Sequence, residues 1–393
     1  MRDPSIVIAG PNLPESKDRM SCARRVAAAT AILTMLAIVP AALAARADRI
    51  WQTSGGRAII ADAVSQDHYD LVKYKKGTVA LTLEGMKVRA IDYGDAPESY
   101  DLAMDSREAG NFENAISLFR AALAESGVRP WIKLHGTHEI AETYRMWGAK
   151  ERSHFADAIK AYDEALAIDP KARIRPDLLF GRSQAQLGAG NLEAAVADLD
   201  TLAKEAASNG YGVRWELTGL YEKAVTLDEG GKPDEAKREY SRLQTQARSF
   251  AGMASLTEKE RDLAAQMAGL ARLAQGKVLI RDGKAQDAER FFSDIVNDSN
   301  EVDGVRAQAL IGKAEALMAQ KKLKEAQLAL ATVRVKFYSS DALAEATYLL
   351  GVVAEELGAA EPKGGQLAQG YFLEVVDRHS GSKWARKAQE KLN

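Results

Sequence analysis

The sequence contains a single cysteine, Cys22, which precedes an apolar run at residues 26–45. Beyond that run the chain has no thiol, which excludes disulfides, thiolate metal ligands and a cysteine nucleophile. The position of Cys22 also excludes a lipoprotein signal, because the lipidated cysteine of such a signal follows the apolar segment. Cysteine chemistry therefore has no part in the function of residues 48–393.

An excess of positive charge is also missing. The whole sequence has a net charge of −2, and residues 1–47 hold six of its 53 basic and three of its 55 acidic residues. Residues 48–393 therefore carry a net charge of −5, whereas nucleic-acid binding requires a basic surface that neutralises phosphates. We expect no nucleic-acid partner.

Motifs for phosphate binding and metal-dependent hydrolysis are absent: the sequence has no G-x-x-x-x-G-K-[ST], no G-x-G-x-x-G after a strand and no H-E-x-x-H. One predicted helix face carries His135, His138, Glu139 and Glu142 at spacings that could present two imidazoles and a carboxylate to a divalent metal. A lone helix face of this kind is more often a hydrated surface. We expect no cofactor and no enzymatic activity, and a metal-dependent enzyme using His135, His138 and Glu142 is the alternative.

The N-terminal region has the form of a secretory signal. Arg24 and Arg25 precede the apolar run, and Ala45-Arg46-Ala47 has the small-x-small pattern of a cleavage site. We expect residues 1–47 to form a signal peptide and the mature protein to be periplasmic. Met20 is a candidate for the true first residue of the protein. Because about 20 apolar residues can span a bilayer, an uncleaved inner-membrane anchor at 26–45 is the alternative.

Residues 48–95 have the composition of a small all-β domain. β-branched and aromatic runs alternate with turn residues such as Ser54-Gly55-Gly56 and Lys75-Lys76-Gly77, which predicts hairpins. Ile59, Val72, Val79, Leu81 and Ile91 are the expected inward residues of this barrel-like region. The five predicted short strands are Asp48 to Thr53, Arg57 to Ser65, Tyr69 to Lys75, Thr78 to Glu84 and Val88 to Tyr93.

From residue 97 to 393 an alanine recurs with a large apolar residue four positions later. Successive alanines are 43, 37, 41, 52, 38 and 42 residues apart, and Gly110, Gly190, Gly231 and Gly283 each lie five residues before one of them. A small and a large residue on one helix face let two helices approach closely, and a glycine ends the preceding helix. The pattern predicts about seven stacked helical hairpins, an α-solenoid. The pairs are Ala115/Phe119, Ala158/Tyr162, Ala195/Leu199, Ala236/Tyr240, Ala288/Phe292, Ala326/Leu330 and Ala368/Phe372.

Three segments resemble the second helix of a tetratricopeptide repeat: Gly110–Leu123, Phe155–Pro170 and Gly190–Leu199. Pro170 stands where that family closes a repeat. The resemblance implies a solenoid over residues 97–393 and a protein-binding scaffold, although the spacings exceed the usual 34 residues of the family.

The C-terminal part resembles the inter-repeat motif of exported repeat proteins of the bacterial envelope. Lys336–Ala346 and Glu374–Leu392 carry this resemblance, with Phe337-Tyr338 and His379-Ser380 in place of the usual tyrosine-proline. The resemblance implies the envelope as the compartment and leaves the individual task open. The polar, lysine-rich stretch from Ser382 to Leu392 is expected to be a capping helix.

The resulting hypothesis is a non-catalytic scaffold of the periplasm or cell envelope that binds partner peptides or helices along its first helices. An alternative is a structural subunit anchored in the inner membrane. Thr257-x-x-Glu260 forms a capping box that predicts one long helix up to Gly283. The expected groove residues, registered on the alanines, are Phe180, Gln184, Tyr221, Lys277 and Glu315, for which burial between repeats is the competing interpretation.

Overall fold

The computed structural model describes residues 47–53, 55–338, 342–358 and 364–393. It divides into two compact units, Met1–Gly212 and Val213–Asn393. The predicted signal segment, including the run 26–45, lies outside the described residues apart from residue 47. Among the described residues no helix combines the length and the apolar character that crossing a membrane requires.

The N-terminal part of the first unit is a β region of six strands within the described residues. They form two three-stranded antiparallel sheets, ordered β2-β1-β6 and β3-β4-β5. The strands are β1 (Asp48–Gln52), β2 (Ile59–Ala61), β3 (Ala63–Asp67), β4 (Leu71–Lys76), β5 (Val79–Glu84) and β6 (Val88–Asp92).

The strand predicted from Arg57 to Ser65 is interrupted at Asp62, which corrects the predicted number of strands from five to six. Asp62 donates its backbone N–H to the carbonyl oxygen of Lys75 over 2.8 Å, and its carboxylate accepts the N–H of Gly77 over 2.5 Å. The chain therefore bends at Asp62 and passes from one sheet into the other.

The two sheets share one small apolar core formed by Ile50, Ala61, Val64, Val72, Tyr74 and Val88. Ile59 and Ile91 pack against this core, and Val72 is fully buried, as expected. Val79 and Leu81 were expected inside and are instead 54% and 37% exposed. They lie on β5, which extends beyond the area that the small core covers.

Residues 98–392 form fifteen α-helices within the described part of the chain. They pair as seven antiparallel hairpins, and α15 follows as the expected C-terminal helix, so the predicted fold class is confirmed. The first helices are α1 (Glu98–Glu108), α3 (Pro130–Gly148), α5 (Arg175–Ala189), α7 (Val213–Glu229), α9 (Glu258–Arg281), α11 (Asp303–Ala319) and α13 (Ala342–Gly358). The second helices are α2 (Phe112–Ala124), α4 (Phe155–Ile168), α6 (Leu192–Asn209), α8 (Pro233–Ala251), α10 (Ala285–Asn297), α12 (Leu323–Lys336) and α14 (Gly364–Arg378), and α15 is Lys383–Leu392.

The turns within the hairpins use left-handed backbone conformations. The predicted breakers Gly110, Gly190, Gly231 and Gly283 have φ between 75° and 90°, which glycine adopts without strain. In the sixth hairpin Lys321 occupies the same position with φ 63° although it is not a glycine. The repeat therefore retains the turn geometry where it loses the glycine.

First helices form a continuous layer within the second unit. Each of α7, α9, α11, α13 and α15 packs on the next one in this series, whereas the second helices of the described part of this unit make no comparable contact with one another. Helices that touch lie closer together than helices that do not, so the layer of first helices is the inner side of the stack. The long helix α9 begins at the predicted capping box, in which Thr257 and Glu260 bond reciprocally.

Candidate partner-binding surfaces

The second unit brings the predicted groove residues Lys277 and Glu315 to its inner layer, on α9 and α11. Lys277 is exposed and Glu315 is half-buried. Burial raises the pKa of Glu315, and the positive charge of Lys277 partly opposes that shift. The two side chains therefore belong to one electrostatic site although they are 38 positions apart in the sequence.

A third charged residue, Glu345 on α13, joins this site and was not predicted. It is 6% exposed and accepts a hydrogen bond from Nε2 of Gln308 over 3.3 Å. Burial raises the pKa of Glu345, and the charge of Lys277 again acts in the opposite direction. Gln308 and Glu315 are seven residues apart and share one face of α11, so the contact with Gln308 places Glu345 beside the row that carries Glu315. Registering each repeat on its alanine did not reach Glu345, because its contact with Gln308 joins two different hairpins.

We call the accessible side chains of Lys277 and Glu315, together with the buried carboxylate of Glu345, the inner acidic surface. It carries two carboxylates and one ammonium group, on three successive first helices. Carboxylates form stronger hydrogen bonds with cationic donors than with neutral ones, particularly where water is partly excluded. The surface is therefore suited to a lysine or arginine side chain presented by a partner.

Tyr221 does not contribute to a groove, which corrects its prediction. It lies on α7 and is only 6% exposed, because α7 packs against both α8 and α9. Phe180 and Gln184, on α5 of the first unit, are half-buried and lie one turn apart on the same helix face. Of the five predicted groove residues, Tyr221 belongs to the core.

The residues of the repeat pattern are located in the packed interior. All fourteen are at most 3% exposed. They are Ala115, Phe119, Ala158, Tyr162, Ala195, Leu199, Ala236, Tyr240, Ala288, Phe292, Ala326, Leu330, Ala368 and Phe372.

Glycines on first helices accommodate the large rings of this pattern. A Cβ atom at Gly276 or at Gly312 would lie 2.5 Å from the ring of Phe292, and a Cβ at Gly351 would lie 2.5 Å from that of Phe372. Gly276 belongs to the same hairpin as Phe292, whereas Gly312 belongs to the next hairpin. The ring of Phe292 thus lies where α10 meets the first helices α9 and α11.

The structure does not assemble a metal site at His135, His138 and Glu142. Glu142 accepts hydrogen bonds from Arg145 and Tyr162; although burial acts to raise its pKa, Arg145 lowers it to about 2. The side chain of Glu139 pairs with Arg107. In the described part of the chain no group of three or more His, Cys, Asp or Glu residues could hold a metal ion.

His135 is instead part of an aromatic contact between α3 and the β region. Its ring centroid lies 5.2 Å from that of Tyr93 and 5.8 Å from that of Trp131, and Tyr93 stacks on Trp131 at 4.6 Å. Burial lowers the pKa of His135 to about 4, so the imidazole is neutral near pH 7. The residue stabilises the packing of unit 1 rather than offering a free ligand.

Buried ion pairs also connect the β region to the helices of unit 1. The carboxylate of Asp48 is fully buried and accepts hydrogen bonds from both terminal nitrogens of Arg129, over 2.6 and 2.5 Å. It also accepts hydrogen bonds from the backbone N–H groups of Val64 and Gly94. Asp67 accepts a hydrogen bond from Nε of Arg173 over 2.7 Å. The β region is thereby docked on the segments that lead into α3 and α5 of its own unit, which supports a core too small to be stable alone.

Residues 147–211 match the tetratricopeptide repeat family. This segment is similar to tetratricopeptide repeats. It comprises the end of α3 and the helices α4, α5 and α6, including the pair Tyr162 and Gly181, whose ring and backbone are in close contact. No curated protein matches the chain.

Several solved structures are similar to the chain. A tetratricopeptide repeat protein from Parabacteroides merdae shares 17% identity, with a TM-score of 0.45 over 75% of this chain and 98% of the other. The C-terminal part of a repeat-containing protein from Cytophaga hutchinsonii shares 13%, with a TM-score of 0.43 over 75% and 99%. A signal transduction ATPase with a tetratricopeptide repeat sensor, from Pyrococcus horikoshii, shares 13%, with a TM-score of 0.49 over 74% of this chain and 44% of the other. Such low identities transfer no function.

Within the tetratricopeptide-like segment, Asp177 on α5 gives the fold a measurable pH dependence. Burial raises the pKa of Asp177 to about 6, above the usual aspartate pKa of about 3.9. The folded state therefore binds more protons than the unfolded state between these values, and Asp177 lowers stability as the pH rises from about 4 to 6. We expect Asp177→Asn to gain about 1–3 kcal/mol relative to the parent between pH 4 and pH 7, measured by urea unfolding.

His135 provides the control of opposite sign. Its folded pKa lies below its unfolded value, so its contribution to stability increases as the pH rises from about 4 to 6.5. His135→Gln should therefore lose stability relative to the parent over the range in which Asp177→Asn gains it. Parallel stability curves for the parent and Asp177→Asn from pH 4 to 7 would contradict the account of Asp177.

Proposed function

We propose that this chain is a non-catalytic interaction scaffold of the bacterial periplasm or cell envelope, which binds a cationic helix or peptide along its inner layer of first helices. The observation that carries the proposal is the inner acidic surface of the second unit. Its three charged side chains come from three hairpins, and their exposure ranges from exposed Lys277 to buried Glu345. A segment lying across these first helices can contact Lys277 and Glu315, and the buried carboxylate of Glu345 adds negative charge to the site.

The repeat architecture supports a binding role. Proteins with tetratricopeptide repeats are generally protein–protein interaction scaffolds, and residues 147–211 match that family. Stacked hairpins present a long surface whose residues come from many repeats, which suits an extended ligand. The carboxylates of Asp48, Asp67 and Glu142 bond to arginines and so have structural roles.

The compartment is inferred from the N-terminal sequence. Residues 1–47 have the form of a cleaved secretory signal, and β1 begins at Asp48, so cleavage after Ala47 would leave the β region intact. An inner-membrane subunit anchored by residues 26–45 is the alternative. Membrane fractionation and the N-terminal residue of the purified protein distinguish the two, since only the periplasmic form begins at Asp48.

Reversing one charge of the inner acidic surface tests the proposal. We expect Glu315→Lys to reduce recovery of crosslinked partner from a Gram-negative envelope at least tenfold, because it replaces an acceptor with a like charge. Lys277→Glu should retain or increase recovery, since it makes the surface more acidic. Quantitative mass spectrometry of the crosslinked complexes provides the measurement.

Glu325→Lys is the matched control for this experiment. Glu325 is exposed on α12, the second helix of the hairpin to which Glu315 belongs. The same change of charge there should leave recovery within about twofold of the parent. Equal losses in Glu315→Lys and Glu325→Lys, with both variants folded, would show that net charge and not the inner surface governs binding.

A further inference from the structure

Strand β5, Val79–Glu84, lies at the edge of its sheet and pairs with β4 on one side, and its Leu83 packs against the shared core. Five of its six residues are exposed and Leu83 is partly buried. No backbone hydrogen bond joins it to anything but β4 among the described residues. A strand of six residues with a free edge can accept a further strand.

The direction of its free backbone groups follows from the pairing. Lys75 is opposite Ala80, and its carbonyl oxygen accepts the N–H of Asp62 from the opposite side of β4. Since a residue in an antiparallel strand points its N–H and C=O to the same side, Lys75 and Ala80 do not bond to each other. The N–H and C=O of Ala80, and by alternation those of Thr82, therefore point away from the sheet.

One face of this edge is apolar. Val79 and Leu81 are 54% and 37% exposed, although Leu81 stands beside buried Tyr74 on the side of the core. An added strand that placed apolar side chains on this face would extend the small core and cover both residues. Burial at about 25 cal/mol per Å² of apolar surface favours such an addition.

The opposite face is basic. Lys73 and Lys75 are exposed on β4 and are opposite Thr82 and Ala80, which are short side chains. An added strand lies two strand spacings from β4, about 10 Å, and the short side chains leave the intervening space open. Acidic side chains on that strand could therefore reach both lysines.

The charges near the edge determine which occupant fits. Lys73 and Lys75 form no ion pair within the described residues, and the nearby carboxylates of Asp62 and Glu84 are bonded to Gly77 and Lys87. Pairing with a second copy through β5 would bring two sets of these lysines together, which like-charge repulsion disfavours. An acidic strand has the complementary charge.

We propose that β5 is a second binding site of this protein, which takes an extended partner segment with alternating apolar and acidic side chains as the fourth strand of the sheet β3-β4-β5. Backbone bonds to Ala80 and Thr82 give affinity. Val79 and Leu81 select the apolar side chains, and Lys73 and Lys75 select the acidic ones. This site is independent of the inner acidic surface and prefers the opposite charge.

Fluorescence anisotropy with two labelled ten-residue peptides tests the site on the purified full-length chain. One peptide alternates valine with glutamate, and the other alternates valine with lysine. We expect the glutamate peptide to bind at least tenfold more tightly. Thr82→Pro should weaken its binding at least tenfold, because proline removes an outward N–H and is tolerated at a sheet edge.

The double variant Lys73→Glu/Lys75→Glu provides a second test that does not depend on proline. Both positions are exposed, so the fold should be retained, and the preference should reverse in favour of the lysine peptide. The proposal fails if neither peptide binds, if both bind equally, or if folded Thr82→Pro binds the glutamate peptide as the parent does. A dimer that forms through β5 and is lost in Thr82→Pro would assign the edge to a second copy and also overturn the proposal.

Discussion

Replacing Phe292 by alanine should destabilise the second unit by about 3–5 kcal/mol, the range observed when a buried aromatic ring is truncated in a packed core. Phe292 is fully buried, and its ring fits against Gly276 and Gly312 on two first helices. The cavity cannot close easily because both walls are helix backbones. Urea unfolding followed by circular dichroism measures the loss.

The neighbouring residue provides the control. Phe291 is only partly buried, so Phe291→Ala should destabilise the unit distinctly less than Phe292→Ala.

Gly312→Ala tests the same contact from the other side, because its Cβ would lie 2.5 Å from the ring of Phe292. It should destabilise by about 1–3 kcal/mol although alanine favours helix. If Gly312→Ala is neutral or stabilising, the ring of Phe292 does not restrict the side chain at position 312, which would contradict this account of the contact.

The second large effect is expected at the attachment of the β region. Arg129→Ala leaves the fully buried carboxylate of Asp48 without its cationic partner, and breaking a buried ion pair from one side costs about 3–5 kcal/mol. Two backbone N–H groups still bond to Asp48, so the charge remains partly compensated. We expect the loss in the cooperative unfolding transition of the first unit.

Lys87→Ala is the matched control for Arg129→Ala. The pair of Lys87 and Glu84 lies in the same β region, but both side chains are more than half exposed. Exposed pairs contribute about 0–1 kcal/mol, so this variant should unfold almost as the parent does. Comparable losses in the two variants would contradict the distinction between the buried and the exposed pair.

The helical part of the fold could be predicted from the sequence because its signals are local. An alanine and a ring four residues apart share a helix face, and a glycine five residues earlier ends the preceding helix. Gly190 and Gly231 have the expected left-handed conformation, and the capping box at Thr257 begins the long helix α9. These features depend on neighbours in sequence and so can be read before the fold is known.

The errors arose where contacts are distant in sequence. The bend at Asp62 is held by Lys75 and Gly77, and the exposure of Val79 and Leu81 depends on the extent of a core that two sheets share. Helical spacing placed His135 and Glu142 on the same helix, α3, but it could not show that arginines bind the carboxylates of Glu139 and Glu142.

The candidate site was found only in part for the same reason. Lys277 and Glu315 follow from registering each repeat on its alanine. Glu345 instead bonds to Gln308, which lies two turns along α11 from Glu315. Tyr221 has the expected register but is enclosed by α8 and α9. Sequence spacing identifies the helix and its face, and neighbouring hairpins determine which residues of that face remain accessible.

Site-specific photocrosslinking in a Gram-negative envelope tests the central claim most directly, with the crosslinker at Glu315 on the inner layer or at Arg290. Arg290 is exposed on the second helix α10 and serves as the outer reference position. The account predicts a discrete partner adduct from position 315 and none from position 290. An adduct from position 290 with none from position 315 would contradict binding along the first helices.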